Sequence, residues 1–226
     1  MDIWHISDTH SYHDLLVPPK VGTVICSGDF SNYYDVYKNE PEALNFLRWF
    51  GNLNIKNKIL IAGNHDAYAF KNSTKFRGWC KYYEIIYLEN ELVEVEGVKI
   101  FGSPVTPTFG NWYFQKNRSK MHEFWQKMPD DIDILVVHGP PKTILDLSYD
   151  RLNNLESCGD RALLNRIKSI KPKLVLFGHI HNNSDIVNGG TRTIPGLDTV
   201  FSNGSVMCDG KFGMLTSNGN ILTINK

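Results

Sequence analysis

The chain has 226 residues, enough for one domain with a substantial core, at most carrying an elaborated cap. Its 24 basic side chains balance 24 acidic ones, so no global field draws it to nucleic acid or an anionic membrane. No apolar run is long enough to span a bilayer.

Asp2–Ser7 and Thr23–Ser27 are runs of β-favouring residues with the length of buried strands. A helix is predicted over Pro41–Phe50, with proline near its start and Gly51 just after its end. Lys58–Ala62 reads as a third strand, and Ile85–Gly102 as strands joined by the Glu96-Gly97 turn. A helix over Ser119–Lys127 precedes Pro129, and Ile132–Val137 is strand-like. Asp160 caps a helix over Arg161–Ile170 that Pro172 closes, before the strand Leu174–Phe177. Beyond Asn182, the pairs Asn188-Gly189-Gly190, Asn203-Gly204, Asp209-Gly210 and Asn218-Gly219 read as hairpin turns between short β-prone runs. The fold class is therefore α/β with a β-rich C-terminal part. No repeat or linker interrupts it, which predicts a single domain over residues 1–226.

Met1 to Ser7 already reads as strand, which leaves no room for a leader peptide. Cys26, Cys80, Cys158 and Cys208 are widely scattered and read as reduced thiols of a cytoplasmic protein. Sequons at Asn72, Asn117, Asn182 and Asn203 are accordingly read as unused.

Five strands run straight into Asp8-Thr9-His10, Gly28-Asp29, Gly63-Asn64-His65-Asp66, His138-Gly139 and Gly178-His179-Ile180-His181. In open α/β sheets ligands gather at the carboxyl ends of strands, so these distant segments converge on one crevice. Any one of them occurs by chance, and a histidine at a strand end is usually just a hydrogen-bonding residue. The ordered set holds five of the eight histidines, and it predicts a centre for two divalent metals. Asp8, His10 and His181 suit one ion; Asn64, His138 and His179 suit the other, with Asp29 as bridging carboxylate. Oxygen and imidazole donors without thiolate suit manganese, iron or zinc without selecting among them. A water bridging both ions would lose a proton near neutral pH and serve as nucleophile. His65 is left as general acid, and Asp66 is expected to orient it. His13 is expected to face substrate phosphate, whereas His5 reads as a satisfied core histidine and His122 as a surface residue.

At these residues the chain resembles the calcineurin-like metallophosphoesterases, whose blocks D-x-H, G-D, G-N-H-[ED], a lone histidine and G-H-x-H all occur in order. The resemblance implies a four-layer α/β/β/α sandwich of the metallophosphoesterase type and a two-metal phosphoester hydrolase. It carries the same division of ligands, with His65 catalytic. Ser7-Asp8-Thr9-His10-Ser11, Ser27-Gly28-Asp29-Phe30-Ser31, His138-Gly139-Pro140-Pro141 and Gly102-Ser103-Pro104 are similar to the small metallophosphoesterase-domain group. That implies a phosphodiesterase acting on a small phosphodiester such as a cyclic nucleotide. After Asp29 the chain reads Phe30-Ser31-Asn32-Tyr33 instead of the serine/threonine phosphatase pattern, which argues against a phosphoprotein substrate. The alternatives are a phosphomonoesterase or nuclease using the same site, or a non-catalytic binding scaffold.

Asn32 and Trp112 are candidate substrate contacts. The aromatic loop Pro104–Arg118 otherwise reads as packing rather than a base-stacking wall. Arg161, Arg166, Lys168, Lys171 and Lys173 read as a solvated helix face.

Overall fold

In the computed structural model, which describes residues 1–209 and 214–225, every side chain of Ile134-Leu135-Val136-Val137 is buried. Successive residues of a strand face opposite ways, so such a run needs cover on both sides. Ile134 and Val136 enter one apolar cluster, while Leu135 and Val137 enter another.

In chain order the elements are β1 (Asp2–Ile6), β2 (Thr23–Cys26), α1 (Val36–Gly51), β3 (Asn57–Leu60), α2 (Ala67–Lys71), α3 (Ser73–Tyr82) and β4 (Ile86–Tyr87). Then come β5 (Glu91–Val95), β6 (Val98–Ser103), β7 (Thr106–Pro107), β8 (Gln115–Lys116), α4 (Met121–Trp125) and β9 (Ile134–Val137). The remainder comprises β10 (Leu147–Tyr149), β11 (Leu155–Ser157), α5 (Arg161–Ile170), β12 (Leu174–Phe177), β13 (Gly190–Ile194), β14 (Leu197–Asn203) and β15 (Asn220–Thr223).

Two sheets form the centre, in the orders β15-β1-β2-β3-β4 and β13-β14-β12-β9-β6-β5. Each is parallel inside and antiparallel at an edge: β15 runs against β1, β13 against β14 and β5 against β6. Ile3, Ile25, Ile59, Ile100, Ile134 and Leu176 fill the space between the sheets. Trp4, Val24 and Leu60 face Phe46, Phe50 and Phe76 of the α1–α3 layer, while Leu135 and Phe177 face Trp125, Leu163 and Ile167 of the α4–α5 layer. The result is the four-layer α/β/β/α sandwich. Among the described residues, no helix is long and apolar enough to cross a membrane.

Several elements differ from the sequence expectation. α1 begins at Val36 because the Asp35 carboxylate accepts from the amides of Tyr37 and Lys38, which leaves Pro41 inside the helix. The helix expected over Ser119–Lys127 is a short 3₁₀ turn, Arg118–Lys120, followed by α4. α5 has the expected bounds: Asp160 accepts from Ala162 N, and Lys171 takes a left-handed conformation at its end. Asn203-Gly204 is no hairpin turn; the reversal between β13 and β14 falls at Pro195-Gly196. Asp209-Gly210 lies partly outside the described residues. Arg166 is not on a solvated face: it is buried and pairs with Asp130 at 2.6 Å.

His5 is the expected core histidine. Its ring nitrogens bond Ser202 Oγ at 2.8 Å and Ser27 Oγ at 3.0 Å, and a Cβ on Gly204 would meet the ring at 2.7 Å. Burial lowers its pKa to about 3, against Asp8, which pulls it up. In the unfolded chain the ring protonates near pH 6.5, so its contribution is complete above that value and is lost as pH falls towards 3. The slope for one such proton is about 1.4 kcal/mol per pH unit. Urea unfolding of the metal-free protein between pH 7 and pH 5 is expected to show a smaller slope in His5→Gln than in the parent. Equal slopes would contradict this.

Candidate metal centre

β1, β2 and β3 are in parallel register, with Ile6 opposite Cys26 and Cys26 opposite Leu60, so Asp8, Asp29 and Asn64 leave one sheet at one edge. In the other sheet Val136 pairs with Leu176, bringing His138 and His179 to the matching edge. Ser7 N donates to Gly204 O at 2.8 Å, stitching the two edges together.

The exits are conformationally unusual. Asp8, His10, Asp29 and His179 have φ values of 54°, 41°, 52° and 69°. Non-glycine residues avoid this region, at a cost of roughly 1–3 kcal/mol each, and they cluster where function holds them. The glycines are needed for close approach: a Cβ on Gly178 would collide with the Asp8 carboxylate, and one on Gly63 with that of Asp29.

The donors form two groups, each with ligand atoms within 4.8 Å of one another: Asp8, His10 and His181, and Asp29, His138 and His179. In the first, the Nε2 atoms of His10 and His181 face each other at 3.3 Å, and His181 Nε2 lies 3.2 Å from Asp8 Oδ1. In the second, His138 Nε2 lies 3.1 Å from Asp29 Oδ2 and 2.9 Å from Asn64 Oδ1. Asp29 is grouped with His138 and His179, and its charge also acts on His10 of the first group. Its other oxygen accepts from His65 N at 2.8 Å.

These residues fit metal ions on their own chemistry. His138 Nδ1 donates to Ser27 O at 2.9 Å, and His181 Nδ1 to Asp209 Oδ1 at 2.8 Å. Each bond leaves Nε2 as the free nitrogen aimed at its carboxylate, the outer-shell arrangement typical of ligating imidazoles. Among the described residues, His10 Nδ1 is buried with no hydrogen-bond partner. Burial opposes charge throughout, and at His10 and His179 it wins, lowering them to about 4 and 3. At His138 the Asp29 charge overcomes burial and lifts the ring to about 9. At His181, Asp209 and Asp8 lift it to about 10. Both carboxylate sites thus draw positive charge.

Asp209 was not legible as a participant. It stands next to a glycine, reads as a turn residue, and reaches His181 only through tertiary folding. Outer-shell changes of this kind cost about 10–100-fold in metal affinity. Asp209→Asn is expected to weaken one of two binding events by that factor in calorimetric titration with manganese. Unchanged affinity would remove Asp209 from this role.

The remaining expected residues separate. His65 Nδ1 donates to Asn32 O at 3.1 Å, leaving Nε2 to the cleft, and its ring packs 4.8 Å from His10 and 4.3 Å from Trp112. Asp66 does not orient that ring. Its carboxylate accepts from Gly63 N, Asp29 N, Ser31 N and Ser31 Oγ at 2.6–3.1 Å, clamping the loops that carry Asp29 and His65. Asn39, also missed, holds His65 O from α1 at 2.9 Å. His13 does not face the cleft either. A 3₁₀ turn buries it against Phe46 and Trp49, bonded to Asn45 Oδ1 at 3.1 Å. His122 is exposed on α4, as expected. Within the aromatic loop Phe114 packs inward, but Phe109 and Trp112 line the cleft, so packing describes only part of it.

A family model for the calcineurin-like phosphoesterases matches residues 1–183. Human metallophosphoesterase domain-containing protein 1 is 33% identical over 213 residues, an alignment covering 83% of this chain and 63% of that protein. The chain thus spans just under two thirds of that relative's length. A UPF0046 protein of Caenorhabditis elegans, C25E10.12, is 32% identical over 224 residues, covering 91% of this chain and 75% of its own. A solved structure only 14% identical superposes with a TM-score of 0.64 over 89% of each chain, a likeness of fold. Two donor clusters at the carboxyl edges of a β-sandwich, in a chain with these relatives, define a metal-dependent phosphoric ester hydrolase domain. The chain belongs to the calcineurin-like phosphoesterase family.

Proposed function

We propose that the domain is a phosphodiesterase acting on a small nucleotide diester. The observation that carries this reading is that two clefts meet at the donor clusters. One, of about 670 Å³, extends past Phe109, Trp112 and Arg118; the other, of about 160 Å³, runs towards Asn32, Met207 and Cys208. His10, His65, His181 and Asp209 line both. A phosphodiester has two organic substituents leaving phosphorus, and this junction offers each its own arm. The divergence favours an open diester over a cyclic nucleotide, whose two ester oxygens return to one sugar.

When bound, two divalent ions supply Lewis-acid activation of the phosphoryl group and of a water nucleophile. Asp8, His10 and His181 would hold one and Asn64, His138 and His179 the other, with Asp29 available to both. His65, its Nδ1 proton held by Asn32 O, exchanges a proton at Nε2 with the leaving oxygen. Asp66 keeps the Asp29 and His65 loops in register, and Trp112 offers a base its face. The ligand chemistry admits manganese, iron or zinc. Cys26 and Cys80, buried as separate thiols, support a reducing, cytoplasmic setting.

The test is a comparison of bis-p-nitrophenyl phosphate, p-nitrophenyl phosphate and cyclic nucleotides on the metal-loaded protein. Preference for the open diester supports the reading, and cleavage of the monoester alone overturns it.

A further inference from the structure

The larger arm holds two cations that the chemistry at the metals does not use. Arg118, in the 3₁₀ turn before α4, donates to the carbonyl of Cys158 at 3.2 Å. Lys142, a few residues beyond His138, donates from Nζ to the carbonyl of Ser157. The two heads therefore sit on consecutive carbonyls at the end of β11, and both side chains line the cleft that contains the donor clusters.

Among the described residues neither cation pairs with a carboxylate. Lys99, Arg166 and Lys173 do, with Asp131, Asp130 and Asp133. Glu156 lines the same arm but forms no ion pair with either. Two cations lining one cleft make it attractive to an anion. Guanidinium presents a fork that matches phosphate oxygens and lysine adds a point charge, a pairing suited to a phosphate group. Trp112 and Phe109 line the same arm, Trp112 against His65 and Phe109 with its ring 4.9 Å from His179. An aromatic platform beside the reacting phosphate and cations in the same arm match a nucleoside carrying a further phosphate.

Resting on the diesterase reading, we propose that Arg118 and Lys142 form a second anion site that takes a terminal phosphate of the substrate. The favoured substrate class is then an open nucleotide diester with a second phosphate on the retained nucleoside.

Two probes isolate that phosphate: thymidine 5′-(4-nitrophenyl phosphate) and its 3′-phosphorylated counterpart. The added phosphate is expected to raise kcat/KM about tenfold or more, the scale of charge-assisted hydrogen bonds. In the Arg118→Gln/Lys142→Gln variant that preference is expected to fall towards unity, with metal content unchanged. Calorimetry supplies a readout free of turnover: thymidine 3′,5′-bisphosphate is expected to bind about tenfold more tightly than thymidine 5′-monophosphate, and the variant to lose the difference. Equal handling of the paired probes by the parent protein, or a preference that survives in the variant, overturns the proposal. Cleavage of p-nitrophenyl phosphate with neither diester cleaved overturns the diesterase reading instead. The calorimetric difference then decides the anion site by itself, its presence supporting the site and its absence refuting it.

Discussion

Asp29→Asn is expected to lower turnover about 10³-fold or more and to deplete both metal ions, as read by elemental analysis after desalting. The carboxylate is buried between β2 and the Asn64 loop, one oxygen against His138 Nε2 at 3.1 Å and the other holding His65 N at 2.8 Å. Those neighbours keep its pKa well below the usual carboxylate range although burial pushes the other way. The amide is isosteric and can still accept from His65 N, so the substitution removes charge with little change of shape. A shared carboxylate offsets repulsion between two neighbouring cations, and losing several kcal/mol of such stabilisation amounts to three decades or more in rate. Asp8→Asn, whose parent side chain belongs to the other group, is expected to deplete one ion only. Loss of a single ion in Asp29→Asn would show that Asp29 belongs to the second site alone.

The second large effect is expected at His65. His65→Ala is predicted to cut kcat about 10²-fold or more while leaving metal content at the parent level. The side chain is outside both donor groups, and its ring stands at the junction of the two clefts. Because a general acid is needed only where the leaving group is poor, the loss is expected to be smaller for p-nitrophenyl esters than for alkyl diesters. Equal losses on both substrates would assign His65 to positioning, and an unchanged kcat would remove it from the reaction.

The centre was legible because the strands that deliver it are buried on both faces. Leu174–Phe177 can only be covered strand, and Gly178-His179 must follow at its carboxyl end. The helix over Arg161–Ile170 was equally plain, since Asp160 and Pro172 punctuate it. α2 and α3 were not foreseen. α3 has Gly78 in its middle and buries only Phe76 and Cys80, so tertiary packing rather than local preference makes it helical. His13 was misread because spacing from His10 says nothing about the 3₁₀ turn that carries it beneath α1. Asp66 and Asp209 exchanged parts for the same reason: the adjacent carboxylate braces backbone, and the distant one reaches a ligand ring. Arg118 and Lys142 are far apart in sequence and meet only on the carbonyls of Ser157 and Cys158.

The number of divalent ions per chain, measured on purified protein equilibrated with manganese and desalted, tests the dinuclear centre most directly. Two ions are predicted for the parent protein and one for His138→Ala, whose imidazole belongs to a single donor group. A parent protein with all the donor residues present that holds no divalent ion would contradict the account.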